Sequence, residues 1–376
     1  MSASTPTTPT VRDLVAAIDA RTPFAWAEDW DRVGLLAGDG AAPLTRAYVT
    51  LDPSPGAVAL ATGAGANVLV THHPAYLTAP APVAAASGPQ ATVVAALAAG
   101  VALVAAHTNL DRDPAGADSL PRALGLVPRE PLESGTQPVS RITVFCPPDA
   151  ADRVAGAMTA AGAGRIGLYA DCSFAAPGEG RFLGLAGARP AVGVPGAPEC
   201  ADEVRVETVC PPDRAGAVAA AARAVHPYEE PLIVVDAASI SRGAARLGRV
   251  CGAPRHATVD SVARMTATAL GIRPRVWGDG SARVSTIATC GGSAGSLVEA
   301  ALACGAQVLV CGELRYHDAT EAAAAGLAVV EAGHDATEWP LVPVLAEIVR
   351  TTPGLDPGAV VVEEPRVAWR VVDPEV

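Results

Sequence analysis

Four short segments hold most of the groups that could do metal or acid–base chemistry. They are Thr71-His72-His73-Pro74, His107-Thr108-Asn109-Leu110-Asp111, Gly312-Glu313-Leu314-Arg315-Tyr316-His317 and Gly333-His334-Asp335-Ala336-Thr337-Glu338. Together they carry five of the seven histidines. Neutral imidazole combined with carboxylate suits Zn, Fe, Mn, Co or Ni. His72 and His73 are adjacent, so one small site rarely takes both, whereas two neighbouring cations can take one ring each. His334 and Glu338 are spaced i, i+4 and share one face of a helix that starts after Gly333. Asp111 and Glu338 can each offer two oxygens to bridge two cations about 3.5–4 Å apart. Two divalent ions in a bed of three imidazoles and two carboxylates keep positions for water, whose pKa falls toward neutrality in such a place. His107, Glu313 and His317 fit the orientation of ligands or substrate contact as well as ligation, and could shuttle protons.

Each segment also has a plainer reading. Asp111 could cap a helix ahead of Asp113-Pro114, and His334 with Glu338 could be a solvated pair. All four coinciding favours a site. His226, in the run His226-Pro227-Tyr228-Glu229-Glu230-Pro231, reads as structural or interfacial, and His256 as a surface residue. Residues 291–296 (GGSAGS) could hold a phosphate at a helix N-terminus. A plain tight turn fits better, because the pattern matches neither a dinucleotide fingerprint nor a Walker loop.

The elements that must position these residues are short Val/Leu runs at 68–70, 101–105, 308–311 and 327–330. Each of the four segments follows one of them. In an open α/β sheet, ligands bind at the carboxyl ends of strands. Runs without alternation predict strands buried on both faces of a parallel sheet. The runs also repeat. Residues 65–76 read GANVLVTHHPAY and residues 305–316 read GAQVLVCGELRY, without a gap. Downstream, AGVALVAAH at 99–107 matches AGLAVVEAGH at 325–334. Apolar runs at 47–51 and 284–289 precede Ala-rich helical stretches. Each half thus reads strand, helix, strand, helix, strand, as a duplicated βαβαβ unit.

A second repeat lies between the halves. VFCPPD at 144–149 and VCPPD at 209–213 each predict a strand that runs into a helix opened by Pro and Asp. Helices are expected at 153–160 and 216–225, and further strands at 164–174 and 232–235. Two such units in tandem predict a ferredoxin-like domain at 136–236, with residues 133–138 and 237–245 as linkers. The expected organisation is an α/β protein with a disordered tail at 1–10. The two halves of a metal-binding domain fall at 11–135 and 237–376, with the smaller α+β domain inserted between them.

The chain has 376 residues, 50% hydrophobic and 18% charged, with net charge −12. At roughly 150 residues per domain that length suits two or three domains. All 27 basic residues are Arg, so lysine Schiff-base chemistry is excluded. The acidic balance and the lack of a basic run argue against a nucleic-acid binder. Residues 74–106 carry no charge, but Pro and Gly interrupt them repeatedly. A spanning helix needs about 20 apolar residues in one piece. The first ten residues have neither a basic nor an apolar region, so no secretion signal is read there. Eight cysteines without a C-x-x-C pair then read as reduced core residues of a cytoplasmic protein.

WDRVGLLAGD at 30–39, VTHHP at 70–74, AAHTNLD at 105–111, GELRYHD at 312–318 and GHDATE at 333–338 together resemble one known family. It is the GTP cyclohydrolase 1 type 2 homologue family, the Nif-three-like dinuclear metal-centre proteins. The HPYEEP run at 226–231 resembles the PII/CutA-like insert of longer bacterial members. The resemblance implies two metals held by His72, His73, Asp111, His334 and Glu338, with Asp111 and Glu338 shared. It also implies a toroidal homohexamer with metal sites facing an internal cavity. The implied reaction is hydrolytic opening of the purine ring of GTP with release of formate. The same centre would serve a hydrolase of another nucleotide or phosphoester, or a regulatory metal-binding assembly without turnover. Two residues depart from the family pattern: Arg32 stands where Asn is common, and Asp335 where an aromatic is common.

Overall fold

The computed structural model describes residues 8–78, 89–366 and 369. The chain is mixed α/β and forms two compact units, Met1–Ser134 with Ala244–Val376, and Gly135–Gly243. Most of the expected tail, residues 1–7, lies outside the described residues. Its last residues are structured. Thr10 closes a capping box on the helix Val11–Arg21 with Asp13, and the carbonyl of Pro9 accepts from Leu44 N–H at 2.7 Å.

The first unit contains two sheets with the same plan. In one, Gly34–Ala37, Ala102–Ala105, Val68–Thr71, Ala47–Thr50 and Val360–Val362 lie side by side. In the other the order is Arg275–Trp277, Ala328–Glu331, Val308–Glu313, Thr286–Ser293, Arg249–Gly252 and Pro128–Pro131. The three strands at the heart of each sheet are parallel, and an antiparallel strand flanks them on one edge. The parallel strands are buried on both faces, because alternate side chains enter different cores. Val68 and Val70 pack with Val11 and Leu14, while Leu69 packs with Val58 and Val101. In the second sheet Val308 and Val310 face one core and Leu309 the other.

The repetition reaches further upstream than the Val/Leu runs revealed. Gly38-Asp39-Gly40 and Gly278-Asp279-Gly280 each follow the antiparallel edge strand. Asp39 Oδ1 accepts from Ala41 N–H and Asp279 Oδ1 from Ser281 N–H, both at 2.8 Å. The side-chain oxygens of Asn67 and Gln307, at the start of the two VLV strands, tie down the preceding strand in the same way. Asn67 accepts from Thr45 and Arg46 N–H, and Gln307 from Ser285 and Thr286 N–H.

The second unit is a four-stranded antiparallel sheet in the order Ser173–Leu183, Pro198–Cys210, Thr136–Cys146, Ile233–Ser241. Helices Ala151–Ala160 and Ala215–Val225 cover one face, so the chain order is βαββαβ. Both Pro-Pro-Asp runs form the expected single turn before a helix. Two expectations need correction. The strand expected at 164–174 instead spans Ser173–Leu183, where Pro177, Gly178 and Gly180 hide it. An edge strand tolerates them. Residues expected as linkers lie at the ends of two strands: 136–138 pair with 239–241, and 237–238 with 139–140. Small side chains there mark an exposed edge and not a break.

Arg242 N–H reaches the carbonyl of Gly135 at 2.9 Å, so the ends of this unit meet. Replacing Gly135–Gly243 by a short Gly/Ser linker is therefore expected to leave the rest folded and able to bind metal. Circular dichroism and metal analysis check this, and an insoluble or metal-free product argues against it. Among the described residues no helix is long and apolar enough to cross a membrane.

Candidate metal centre

The strand ends of the two sheets in the first unit bring their histidines and carboxylates together. The strand Val68–Thr71 runs directly into His72 and His73, whose N–H groups still bond to Thr50 and Leu51 carbonyls. Those bonds hold the two consecutive rings 5.0 Å apart, so both can serve one cluster. His107 ends the next strand and opens the helix Thr108–Arg112, which carries Asp111. The second sheet supplies Glu313 from the end of its central strand. It also supplies His334 and Glu338 from the helix His334–Glu338.

Among the described residues three groups of side chains place ligand atoms within 4.8 Å of one another: His72, His73 and His107; His73, His334 and Glu338; His72, Asp111 and Glu338. Glu338 belongs to two of them. Its Oε2 lies 2.8 Å from His73 Nε2, 3.2 Å from His334 Nε2 and 3.8 Å from His72 Nε2. The second oxygen of His72's surroundings is Asp111 Oδ1, at 3.6 Å.

Every ring is held from behind by its Nδ1. His72 Nδ1 bonds the Ala106 carbonyl at 3.0 Å, and His73 Nδ1 the Asp52 carboxylate at 2.7 Å. His107 Nδ1 bonds Asp31 at 2.8 Å, and His334 Nδ1 bonds Glu313 at 2.9 Å. Metal-ligating histidines are oriented in this way, with Nε2 left for the ion. Of these partners only Glu313 was among the expected site residues. It serves to orient His334. Asp31 and Asp52 were missed. Asp52 lies two residues past the strand Ala47–Thr50, so the strand-end rule covers it, but no histidine beside it in sequence draws the eye. Asp31 sits in the WDRVGLL run without a strand-end position at all.

The carboxylates favour positive charge among these imidazoles. Burial opposes a charge on His72 and His73, yet carboxylates raise both pKa values, that of His73 to about 9. Glu313 and Glu338 raise His334 to about 10 against its burial. Burial would raise Glu338, but three imidazoles hold it well below the usual carboxylate range. Asp111, with burial dominant, is pushed up. Burial works against ionised Asp31 also, and His107 with Thr108 brings it down to about 2.

The donor set fits a transition-metal cation. His72 Nε2 is buried and has no hydrogen-bond partner among the described residues. Its Nδ1 donates to a carbonyl, so Nε2 presents a lone pair toward two carboxylates too distant to bond. A cation between them satisfies all three groups, and an apolar or neutral filling satisfies none.

Without metal, protons take that role, so metal binding must displace them. At pH 7.5 His73 and His334 are protonated in the metal-free chain. Uptake of metal is then expected to release about two protons. Affinity should rise with pH until about pH 9–10. The raised histidines also stabilise the metal-free fold below their unfolded pKa of about 6.5, a contribution lost as pH climbs through those higher values. Calorimetry in buffers of different ionisation enthalpy counts the protons. No release would exclude these two rings as ligands.

His317 is not part of the cluster. It is exposed on the helix Tyr316–Ala324, and its ring contacts Tyr316. Ala319 and Ala322 are the buried residues of that helix, and position 317 lies about 200° around from Ala319. His226 accepts from Tyr228 N–H and pairs with the Phe145 carbonyl in the second unit, and His256 is exposed. Residues 291–296, expected as a tight turn, instead hold the end of the strand Thr286–Ser293 and the start of a 3-10 turn at Gly295, and they have a role the sequence did not show. Gly291 and Gly292 lie against Glu338, and Gly292 N–H donates to Thr337 Oγ1 at 3.1 Å. At the other end of the cluster Trp369 packs on Gly333 and donates from Nε1 to Asp335.

A pair of like-planned α/β sheets with imidazoles and carboxylates gathered at their strand ends defines an α/β protein with a His/carboxylate cluster that could hold a cation. The chain belongs to the Duf34/NIF3 (NGG1p interacting factor 3) family, whose model matches residues 9–363. A Mycobacterium tuberculosis protein named GTP cyclohydrolase 1 type 2 homolog is 35% identical over 348 residues, 90% of this chain and 91% of that protein. A Bacillus subtilis protein of the same name is 32% identical over 328 residues, 86% and 87% of the two chains. The crystal structure of a Bacillus cereus protein related to NIF3 superposes with a TM-score of 0.62 at 27% identity, covering 98% of this chain and 99% of that one.

Proposed function

We propose that the chain is a metal-dependent hydrolase that holds two divalent cations and acts on a nucleotide. Hydrolytic opening of the guanine ring of GTP, with release of formate, is the reaction to test first. The unpartnered, buried Nε2 of His72, facing Asp111 and Glu338, carries the metal part of this reading. Membership of Glu338 in two ligand groups supports two ions: one on His72, Asp111 and Glu338, the other on His73, His334 and Glu338. Asp111 falls in only one of these groups, so Glu338 is the better bridge. The names of the relatives supply the nucleotide.

Such cations, when bound, supply a Lewis acid and a means of activating water near neutral pH. The chain's own residues do the rest. Asp52, Asp31, Glu313 and the Ala106 carbonyl hold four imidazoles in fixed tautomers. His107, with Nδ1 tied to Asp31, has only Nε2 to present to the cluster, and there it can take or give a proton. The exposed His317 lies outside the ligand groups. We read the second unit as a ferredoxin-like domain of PII/CutA type, on its βαββαβ order. The family resemblance supports a cytoplasmic homohexamer, which light scattering tests.

Metal-loaded protein incubated with a panel of nucleotides is expected to release formate from GTP, and the Glu338→Gln variant to release none. Silence across the panel would overturn turnover and leave a metal-binding or regulatory assembly. Hydrolysis of another nucleotide would move the substrate and keep the centre.

A further inference from the structure

Trp30 is a large apolar ring held out in solvent beside the metal centre. Its side is 54% exposed in a chain with only five tryptophans. Its ring lies 6.0 Å, nearly edge to face, from that of His107, which in turn lies 5.2 and 5.6 Å from His72 and His73. The segment that carries it is clamped. Asp31 bonds His107 Nδ1 and both Thr108 N–H and Oγ1. Glu28 N–H donates to Thr108 Oγ1, Arg112 pairs with the Glu28 carboxylate, and Asp31 N–H closes the turn on the Glu28 carbonyl. The tethered segment presents the indole to water at the edge of the His/carboxylate cluster.

We propose that Trp30 is a positioning residue: the open face of its indole stacks on the planar base of a nucleotide whose reacting part lies over the His72, His73 and Glu338 cluster. This inference rests on the nucleotide reading above and adds to it where the base is held. Indole–base stacking is tolerant of base identity, so Trp30 sets the ring plane and leaves the choice of base to other contacts.

The test is GTP binding by the full-length, metal-loaded protein, measured by calorimetry, with metal content determined for every variant. Trp30→Leu is expected to weaken binding by roughly 5- to 150-fold, the equivalent of about 1–3 kcal/mol of stacking at tenfold per 1.4 kcal/mol. Metal content should stay unchanged. Trp30→Phe, which keeps a stacking face, should recover most of the affinity. Quenching of tryptophan emission by GTP should be present in the natural chain and lost in Trp30→Phe, a reading that holds even if the leucine variant does not fold. GTP binding by Trp30→Leu equal to that of the natural chain overturns the role of Trp30 and leaves the nucleotide reading intact. Loss of metal from Trp30→Leu, or a changed mass in solution, overturns it also, by assigning the indole to the centre's scaffold or to a subunit contact. No binding of GTP or ATP by the natural chain overturns both.

Discussion

Replacing Glu338 by glutamine is expected to empty the centre. The carboxylate is almost fully buried and meets three imidazole nitrogens within 3.8 Å. The amide keeps the volume but removes the charge, and one of its two ends turns N–H groups toward lone pairs. Metal content should fall from about two ions per chain to below one, counting one ion for each ligand group that contains Glu338. The loss of affinity should exceed the roughly 10–100-fold that removal of an outer partner such as Asp52 costs. His317→Ala, on an exposed helix face outside the three ligand groups, should change nothing. Elemental analysis after gentle purification decides the matter. Full metal in Glu338→Gln, or a larger deficit in His317→Ala, would reassign the ligands.

The second large effect is expected from a methyl group. Gly292 has φ +61°, and a Cβ there would lie 2.2 Å from Glu338 Oε1 and 3.2 Å from His334 Nε2. The backbone cannot retreat freely, because Gly292 N–H is bonded to Thr337 Oγ1 on the same helix as both ligands. Alanine at 292 therefore has two costs. The left-handed conformation takes about 1–2 kcal/mol for any residue with a Cβ. The clash is relieved only by turning the Glu338 carboxylate away from the imidazoles. Metal affinity should fall at least about tenfold, since the displaced group is a ligand and not its outer partner. Gly305→Ala is the control. Its φ is +72°, but nothing stands within 4 Å of the added methyl. It should lose a few degrees in Tm, about 2–4 °C per kcal/mol, and keep its metal. Equal metal loss in both variants would mean that backbone strain alone empties the centre.

These predictions depend unequally on sequence and on structure. The types and local spacings were legible. The His72-His73 doublet, the HTNLD run and the His334/Glu338 pair each follow a Val/Leu run, and strand-end chemistry needs no knowledge of packing to be suspected. The repeat of GANVLV in GAQVLV announced two similar βαβαβ halves, because buried parallel strands write unalternated Val and Leu into the chain; that each half builds its own sheet came from the structure. The limits of the second unit were less legible. Pro177 and the small residues at 237–239 sit in edge strands, where the usual composition of a strand is not demanded.

What residue order by itself determined here is which side chains are available and which sheet face or helix turn each one occupies, since periodicities of 2 and 3.6 act within a few residues. Only the tertiary structure decided which lone pair meets which carboxylate. Glu338 serves His73 across 265 positions of chain, Asp31 and Asp52 fix rings far from them in sequence, and Gly292 makes room for a ligand on another element. His317, with the right type in the right motif, was turned to solvent by the burial of Ala319 and Ala322 on the opposite face of its helix. Such pairings come from the packing of one sheet's strand ends against the other's, and no local rule reaches across that distance.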